Sequence, residues 1–281
     1  MPLNRTIATL CFLAAGASAQ AHCPATLPLK GTQHVDNCYP LRAECVPAAD
    51  ALYQYSEAVP DGGEEMFSAA LHGSPWHLFD GDMRYLDIED LAVLVRKKGK
   101  QVQKVVLMAS WSGIAPDKHH TALAQQLSNA LGTVQVSAPD GFLWFDKDGR
   151  TSVTRQAFTV FATGPYAVKK DEPVMASLAL AWPVQLEEAF AKDGDADGLF
   201  RAGVGQEAFQ LCPERALAAF EAAAKLGHPI AAYNAAVLRL ERNAAGDREA
   251  ALGLLRKAAA AGDKPAGARL ARTALRNGGK P

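Results

Sequence analysis

The chain lacks a surplus of either charge: 29 Lys and Arg stand against 30 Asp and Glu, a net −1 at pH 7. Such a balance supplies no field to hold a polyphosphate backbone, so nucleic acid is not an expected partner. Apolar runs long enough to span a bilayer are also missing, since a spanning helix takes about 20 apolar residues. No C-x-x-C spacing occurs among the five cysteines, which argues against a zinc site and leaves no metal or cofactor expected. No G-x-S-x-G elbow occurs either, so the usual serine-hydrolase turn is absent from the sequence.

What is present begins with apolar content. It is 49%, enough for a packed core, and excludes disorder as a global description. Alanine is unevenly placed. Of 54, 27 lie in residues 184–281 and the other 27 are spread over the first 183. That step implies two architectures in one chain, an α/β part followed by an all-α part.

Residues 1–19 read as a secretory signal peptide. Arg5 precedes an apolar run from Ile7 to Ala15, and small residues end at Ala17-Ser18-Ala19. Cleavage near Ala19 is expected, giving a periplasmic or secreted protein. Removal of the signal takes Cys11 with it and leaves Cys23, Cys38, Cys45 and Cys212. In an oxidising compartment four cysteines suggest two disulfides, with three pairings open. Because Cys212 is far from the others, any full pairing staples the N-terminal segment to the C-terminal region. Residues 20–62, rich in Cys and Pro, read as a surface wrap.

The C-terminal third repeats. Residues 194–203, 227–236 and 262–271 align at spacings of 33 and 35 residues, each preceded by an alanine-rich amphipathic run. The pattern predicts stacked helical hairpins, with a left-handed Gly ending one helix and Pro229 or Pro265 opening the next. Ala223, Ala224, Gly227, Ala231, Tyr233 and Ala236, and then Ala258, Ala259, Gly262, Ala266 and Ala271, resemble the Sel-like repeat family over roughly 184–275. The resemblance implies an α-solenoid that binds other proteins on its concave face and carries no catalysis. A calcium loop competes for Asp193 to Gly198, but its twelfth position is Val204, which cannot ligate.

The middle, residues 63–175, alternates strand and helix patterns. Strands are expected at 66–71, 102–109 and 133–138, helices at 87–98 and 121–131, and a hairpin around Asp148-Gly149. Such alternation predicts a small parallel sheet, whose ligand site lies beyond the carboxyl ends of the strands. His72-Gly73 closes the first strand there and Ser110-Trp111-Ser112-Gly113 the second. Those residues, with Ala138-Pro139-Asp140-Gly141, resemble the caspase/gingipain-like cysteine peptidases, including relatives in bacterial toxins. In that family a strand ends in His-Gly and a later one in Ala-Cys-x-[ST]-Gly. Here Ser110 stands where the family has its Cys.

A serine hydroxyl needs a strong base and an orienting acid to act as a nucleophile. The departure therefore points to a domain without peptidase activity. A Ser110–His72 or Ser112–His72 hydrolase, with Asp80 or Asp82 orienting the imidazole, is the alternative. His119-His120 reads as a solvated loop, and Trp111 and Trp144 as buried aromatics rather than groove walls. Residues 171–184 read as a packed link between the halves. The expected function is an exported, non-enzymatic interaction scaffold. Its partner is another protein, such as a secreted toxin or an envelope protein.

Overall fold

The computed structural model describes residues 29–36, 55–59, 62–132, 134–146, 148–161 and 192–275, with Cys23 and Leu27. The signal segment, Cys38, Cys45 and the link at 171–184 lie outside the described residues.

The parallel sheet forms where alternation predicted it. Strands β2 (Met66–Ala70), β6 (Lys104–Met108) and β7 (Gln135–Ser137) run parallel in the order β2-β6-β7. Helices α1 (Ile88–Lys98) and α2 (Leu123–Leu131) cover it. Leu91 and Val95 of α1 and Leu123 and Leu127 of α2 meet Val105 and Leu107 of β6 in one apolar cluster. The acids at the start of α1 and bases at its end suit the helix dipole. β8 (Phe142–Phe145) and β9 (Thr151–Thr154) form the expected hairpin, with Gly149 at φ 74°.

Two further sheets escaped the sequence reading. β3 (His72–Gly73), β4 (Leu78–Phe79) and β5 (Tyr85–Leu86) form a short antiparallel sheet, in the order β3-β4-β5. β1 (Thr32–Asp36) pairs in parallel with β10 (Ala157–Phe161).

The C-terminal residues form a run of helices: α3 (Ala196–Ala208), α4 (Pro213–Lys225), α5 (Pro229–Arg242), α6 (Asp247–Ala260) and α7 (Lys264–Leu275). Each packs on the next in sequence. Three of the helix starts share one capping pattern. Gly194, Gly227 and Gly262 precede α3, α5 and α7 at φ 69°, 96° and 93°, a conformation that costs glycine little. One residue later, the side chains of Asp195, His228 and Asp263 each accept the backbone N–H three residues on. Asp195 is thus a helix cap, which accounts for it without calcium. Alanine marks the contact faces: Ala216, Ala223, Ala231, Ala235, Ala236, Ala251, Ala258 and Ala266 are buried.

The two parts share one core. Phe79, Tyr85, Trp111, Phe142 and Trp144 of the α/β part cluster with Phe200, Phe209, Phe220 and Tyr233 of the helices. A disulfide, Cys23–Cys212, ties the N-terminal segment to the start of α4 across 189 residues.

Candidate functional site

In the β2–β6 register, Ala70 faces Met108. His72 and Ser110 therefore both fall two residues beyond the last paired positions, at the carboxyl edge of adjacent strands. Both line one cavity, closed by Phe79, Met83, Met108 and Phe145, and by Ala208 and Phe209 at the end of α3.

The chemistry at that edge is sparse. Ser110 Oγ accepts the backbone N–H of Leu143 at 3.0 Å, anchoring β8 to the sheet. Among the described residues no hydrogen bond joins Ser110 to His72 or to a carboxylate. His72 is half-buried, and desolvation lowers its pKa to about 4, so the imidazole is neutral near pH 7. Ser112 is not a free nucleophile either, because its Oγ donates to Ala109 O at 2.7 Å. Asp80 does not orient His72. One of its oxygens accepts the N–H groups of Asp82 and Arg84, and the other pairs with the Arg84 guanidinium at 3.0 Å. Asp82 is exposed beside Arg84, 3.9 Å away.

Packing accounts for the glycines of both motifs. A Cβ at Gly73 would stand 3.0 Å from Ala109 Cβ and 3.1 Å from Ser110 O, and one at Gly113 would stand 2.6 Å from Ala138 O. Between them Trp111 adopts φ 65°, a region a bulky residue rarely enters. Its N–H donates to Gly141 O at 2.8 Å, and its ring is fully buried against Phe142. Trp144 is buried too, its Nε1 donating to Thr154 Oγ1 at 2.7 Å. Neither tryptophan lines a groove. His120 lies on an exposed loop with Nδ1 against Asp117 at 2.7 Å, and His119 donates only its backbone N–H to the same carboxylate. Among the described residues no cluster of three or more His, Cys, Asp or Glu is arranged to hold a metal.

The dense chemistry lies elsewhere, on a seam between the β4–β5 hairpin and the helices. His77, missed by the sequence reading, places Nδ1 2.8 Å from Glu207 of α3 and Nε2 2.8 Å from Glu241 of α5. Burial alone would lower its pKa, but the two carboxylates overcome this and raise it to about 10. The ring is therefore an imidazolium donating from both nitrogens. Ser74 Oγ donates to Glu207 at 2.6 Å, and the Tyr85 hydroxyl donates to the other Glu207 oxygen. Burial, and then the Glu207 charge, push the Tyr85 phenol well above its ordinary range. Its ring stacks on His77 with centroids 4.0 Å apart.

The contacts continue along the helix run. Asn234 Oδ1 accepts Tyr85 N–H at 3.0 Å, and its Nδ2 donates to Met83 O at 2.9 Å. Arg84 reaches Asp263 at 2.8 Å, and Asp87 takes Arg269 and Arg272 at 2.6 and 2.9 Å. Asp87 precedes α1 yet makes no side-chain cap there. Its carboxylate is committed to the seam. The helix face carrying Glu207, Asn234 and Arg269 is thus occupied by the chain's own hairpin.

No single motif announces this seam. Its acids, base and amide come from five separated stretches, and only the fold unites them.

A family model described as a domain of unknown function (DUF8616) matches residues 41–153. That span holds the sheet edge and the β4–β5 hairpin but none of the helical residues that hold the hairpin. No curated protein and no solved structure matches the chain.

Proposed function

We propose that this chain is an exported, non-enzymatic protein-interaction scaffold. In this reading a degenerate caspase/gingipain-like domain is fixed to a solenoid of Sel-like hairpins. The observation that carries it is the state of Ser110: its oxygen is spent holding Leu143 of β8, and no base or acid engages it among the described residues. No hydrogen bond joins Ser110 Oγ to a base among the described residues, so no general base is engaged to take its proton. The cavity beside it, apolar and without a catalytic partner, suits capture rather than cleavage.

The helix capping repeated at Asp195, His228 and Asp263 supports the solenoid part of the reading. The seam moves the expected binding surface, since the face implied for outside proteins is filled in cis. Recognition then falls to the sheet-edge cavity and the outward faces of α4 and α6. The Cys23–Cys212 disulfide supports export, because such bonds persist in oxidising compartments. The signal-like residues 1–19, cleaved near Ala19, would supply the route. A periplasmic immunity or accessory protein acting on a secreted toxin or envelope protein fits this set of features.

The second reading is a hydrolase using Ser110 and His72, and one fact favours it: both line the same cavity. A fluorophosphonate probe on the full-length protein decides between them. The scaffold reading expects no labelling. Labelling abolished by Ser110→Ala overturns it.

A further inference from the structure

We propose that the sheet-edge cavity is a capture site for a single uncharged aliphatic side chain, presented by a partner polypeptide. The inference deepens the scaffold reading and rests on it only in holding that the bound chain is kept rather than cut.

Size is the first ground. The cavity is about 100 Å³. Sites for whole small molecules run to roughly 300–1,000 Å³, and a dry cavity of about 150 Å³ takes one benzene. This space therefore fits a branched group of about four carbons and excludes a nucleotide or other full cofactor. Such a small group gains little alone, so it must arrive on a larger body whose other contacts supply affinity.

Charge is the second ground. Phe79, Met83, Met108, Phe145 and Phe209 give the cavity apolar walls. Among the described residues the one carboxylate on the wall is Asp80, which Arg84 neutralises at 3.0 Å. The imidazole on the wall, His72, is held neutral by desolvation. No wall group compensates a buried ammonium or carboxylate, so a charged side chain entering here stays unpaired. Besides Asp80, three polar side chains line it among the described residues: Ser56, Ser110 and His72. The Ser110 hydroxyl accepts from Leu143 and keeps its own hydrogen to donate, and the His72 ring makes no side-chain hydrogen bond among the described residues. One hydroxyl and one neutral imidazole match the amide groups flanking an inserted side chain.

The wall also comes from both halves of the molecule. Ala208 and Phe209 end α3 one residue after Glu207, the carboxylate that holds His77. The site is complete only when the helices are docked, so it belongs to the whole chain and not to the matched residues 41–153 alone.

The test uses the full-length protein with ¹³C-methyl methionine. Met83 and Met108 line the cavity, and Met66 does not. The probes are capped Gly-Leu-Gly, Gly-Lys-Gly and Gly-Asp-Gly peptides. Lacking the larger body, the Leu peptide is expected to bind weakly, with a Kd of roughly millimolar, to shift Met83 and Met108 saturably at that concentration while leaving Met66 unmoved, and to bind at least about tenfold tighter than the charged peptides. Gly81 also lines the cavity, and a Cβ there meets nothing within 4 Å. Gly81→Leu should therefore fold with an unchanged midpoint and weaken the Leu peptide at least about tenfold. Equal response to all three peptides, no response, or Leu binding undiminished in Gly81→Leu overturns the assignment. Cleavage of a peptide that also shifts both methionines sinks the non-enzymatic reading but keeps the pocket. Absence of both labelling and shifts does the reverse.

Discussion

The sheet edge and the seam sit a few residues apart in sequence, and they invert what a motif search expects. At the edge, His72 and Ser110 line one cavity beyond the ends of adjacent strands, yet no hydrogen bond joins them among the described residues and Ser110 Oγ accepts the Leu143 N–H. At the seam, His77 belongs to no motif, yet it holds two carboxylates while a tyrosine and a serine saturate the inner one. The lesson concerns cost. A buried charge must be compensated or it destabilises the fold, so it collects partners wherever it lies. A neutral imidazole and a hydroxyl cost less to bury, and a single hydrogen bond, as at Ser110, serves them. Connectivity of polar groups in this molecule follows the needs of burial, and the richest network marks a structural joint.

The sharpest way to break this contrast is to remove the centre of the joint. Glu207→Gln leaves the His77 imidazolium with only Glu241, whose side chain is half exposed. Breaking one side of a buried ion pair costs about 3–5 kcal/mol, and we expect that loss in urea unfolding. His72→Gln, at the edge, should cost less than about 1 kcal/mol. Equal losses at the two positions would erase the distinction. Next in size is the covalent tie. Cys23→Ser with Cys212→Ser should lower stability by about 2–5 kcal/mol, read as a lower midpoint under non-reducing conditions. The reduced wild type should be at least as destabilised as the double variant.

The third prediction sharpens the comparison through pH. In the folded state the His77 pKa is raised from 6.5 to about 10. Folding therefore binds a proton more tightly than the unfolded chain does. The stabilisation is complete below pH 6.5 and is lost as pH rises towards 10. The groups facing His77 are Glu207, Glu241 and Tyr85, and of these the raised Tyr85 stays neutral across the window. Unfolding free energy measured from pH 6.5 to 10 should fall steadily in the wild type and be flatter in His77→Gln. For His72 the sign reverses. Its folded pKa near 4 opposes protonation, so it costs stability only as pH drops below 6.5.

Much of the fold was legible because its signals are periodic. Alternation located β2, β6 and β7, and the charge order located α1. Gly227 with Pro229 and Gly262 with Pro265 located the helix boundaries there. What escaped has short strands or distant partners. β3, β4 and β5 are two residues each, too brief for a period to register. The pairing of β1 with β10 joins segments over a hundred residues apart. The edge of the candidate site was readable from where the strands end. The seam was not, because Glu207 and Asn234 look like ordinary residues of alanine-rich amphipathic helices. Only tertiary contact makes them the partners of Tyr85.

A far smaller effect than at the joint is expected at the residue to which the sequence drew most attention. Ser110→Ala removes the acceptor of the Leu143 N–H, and Leu143 is buried. Leaving one buried amide unpaired costs about 1–3 kcal/mol, and the small cavity nearby can admit a water that lowers the cost to the bottom of that range. We expect a loss of about 1 kcal/mol, with fluorophosphonate labelling absent before and after the change. Hydrogen exchange should localise the effect, with the Leu143 amide exchanging faster and the His77–Glu207 joint unchanged. A hydrolase would behave otherwise: Ser110→Ala would abolish labelling while leaving stability nearly intact, since an activated serine spends its hydroxyl on substrate. The two measurements together separate a serine that builds the sheet from one that acts on a ligand. That separation turns on the same hydrogen bond, from Leu143 N–H to Ser110 Oγ, that sets the edge apart from the seam.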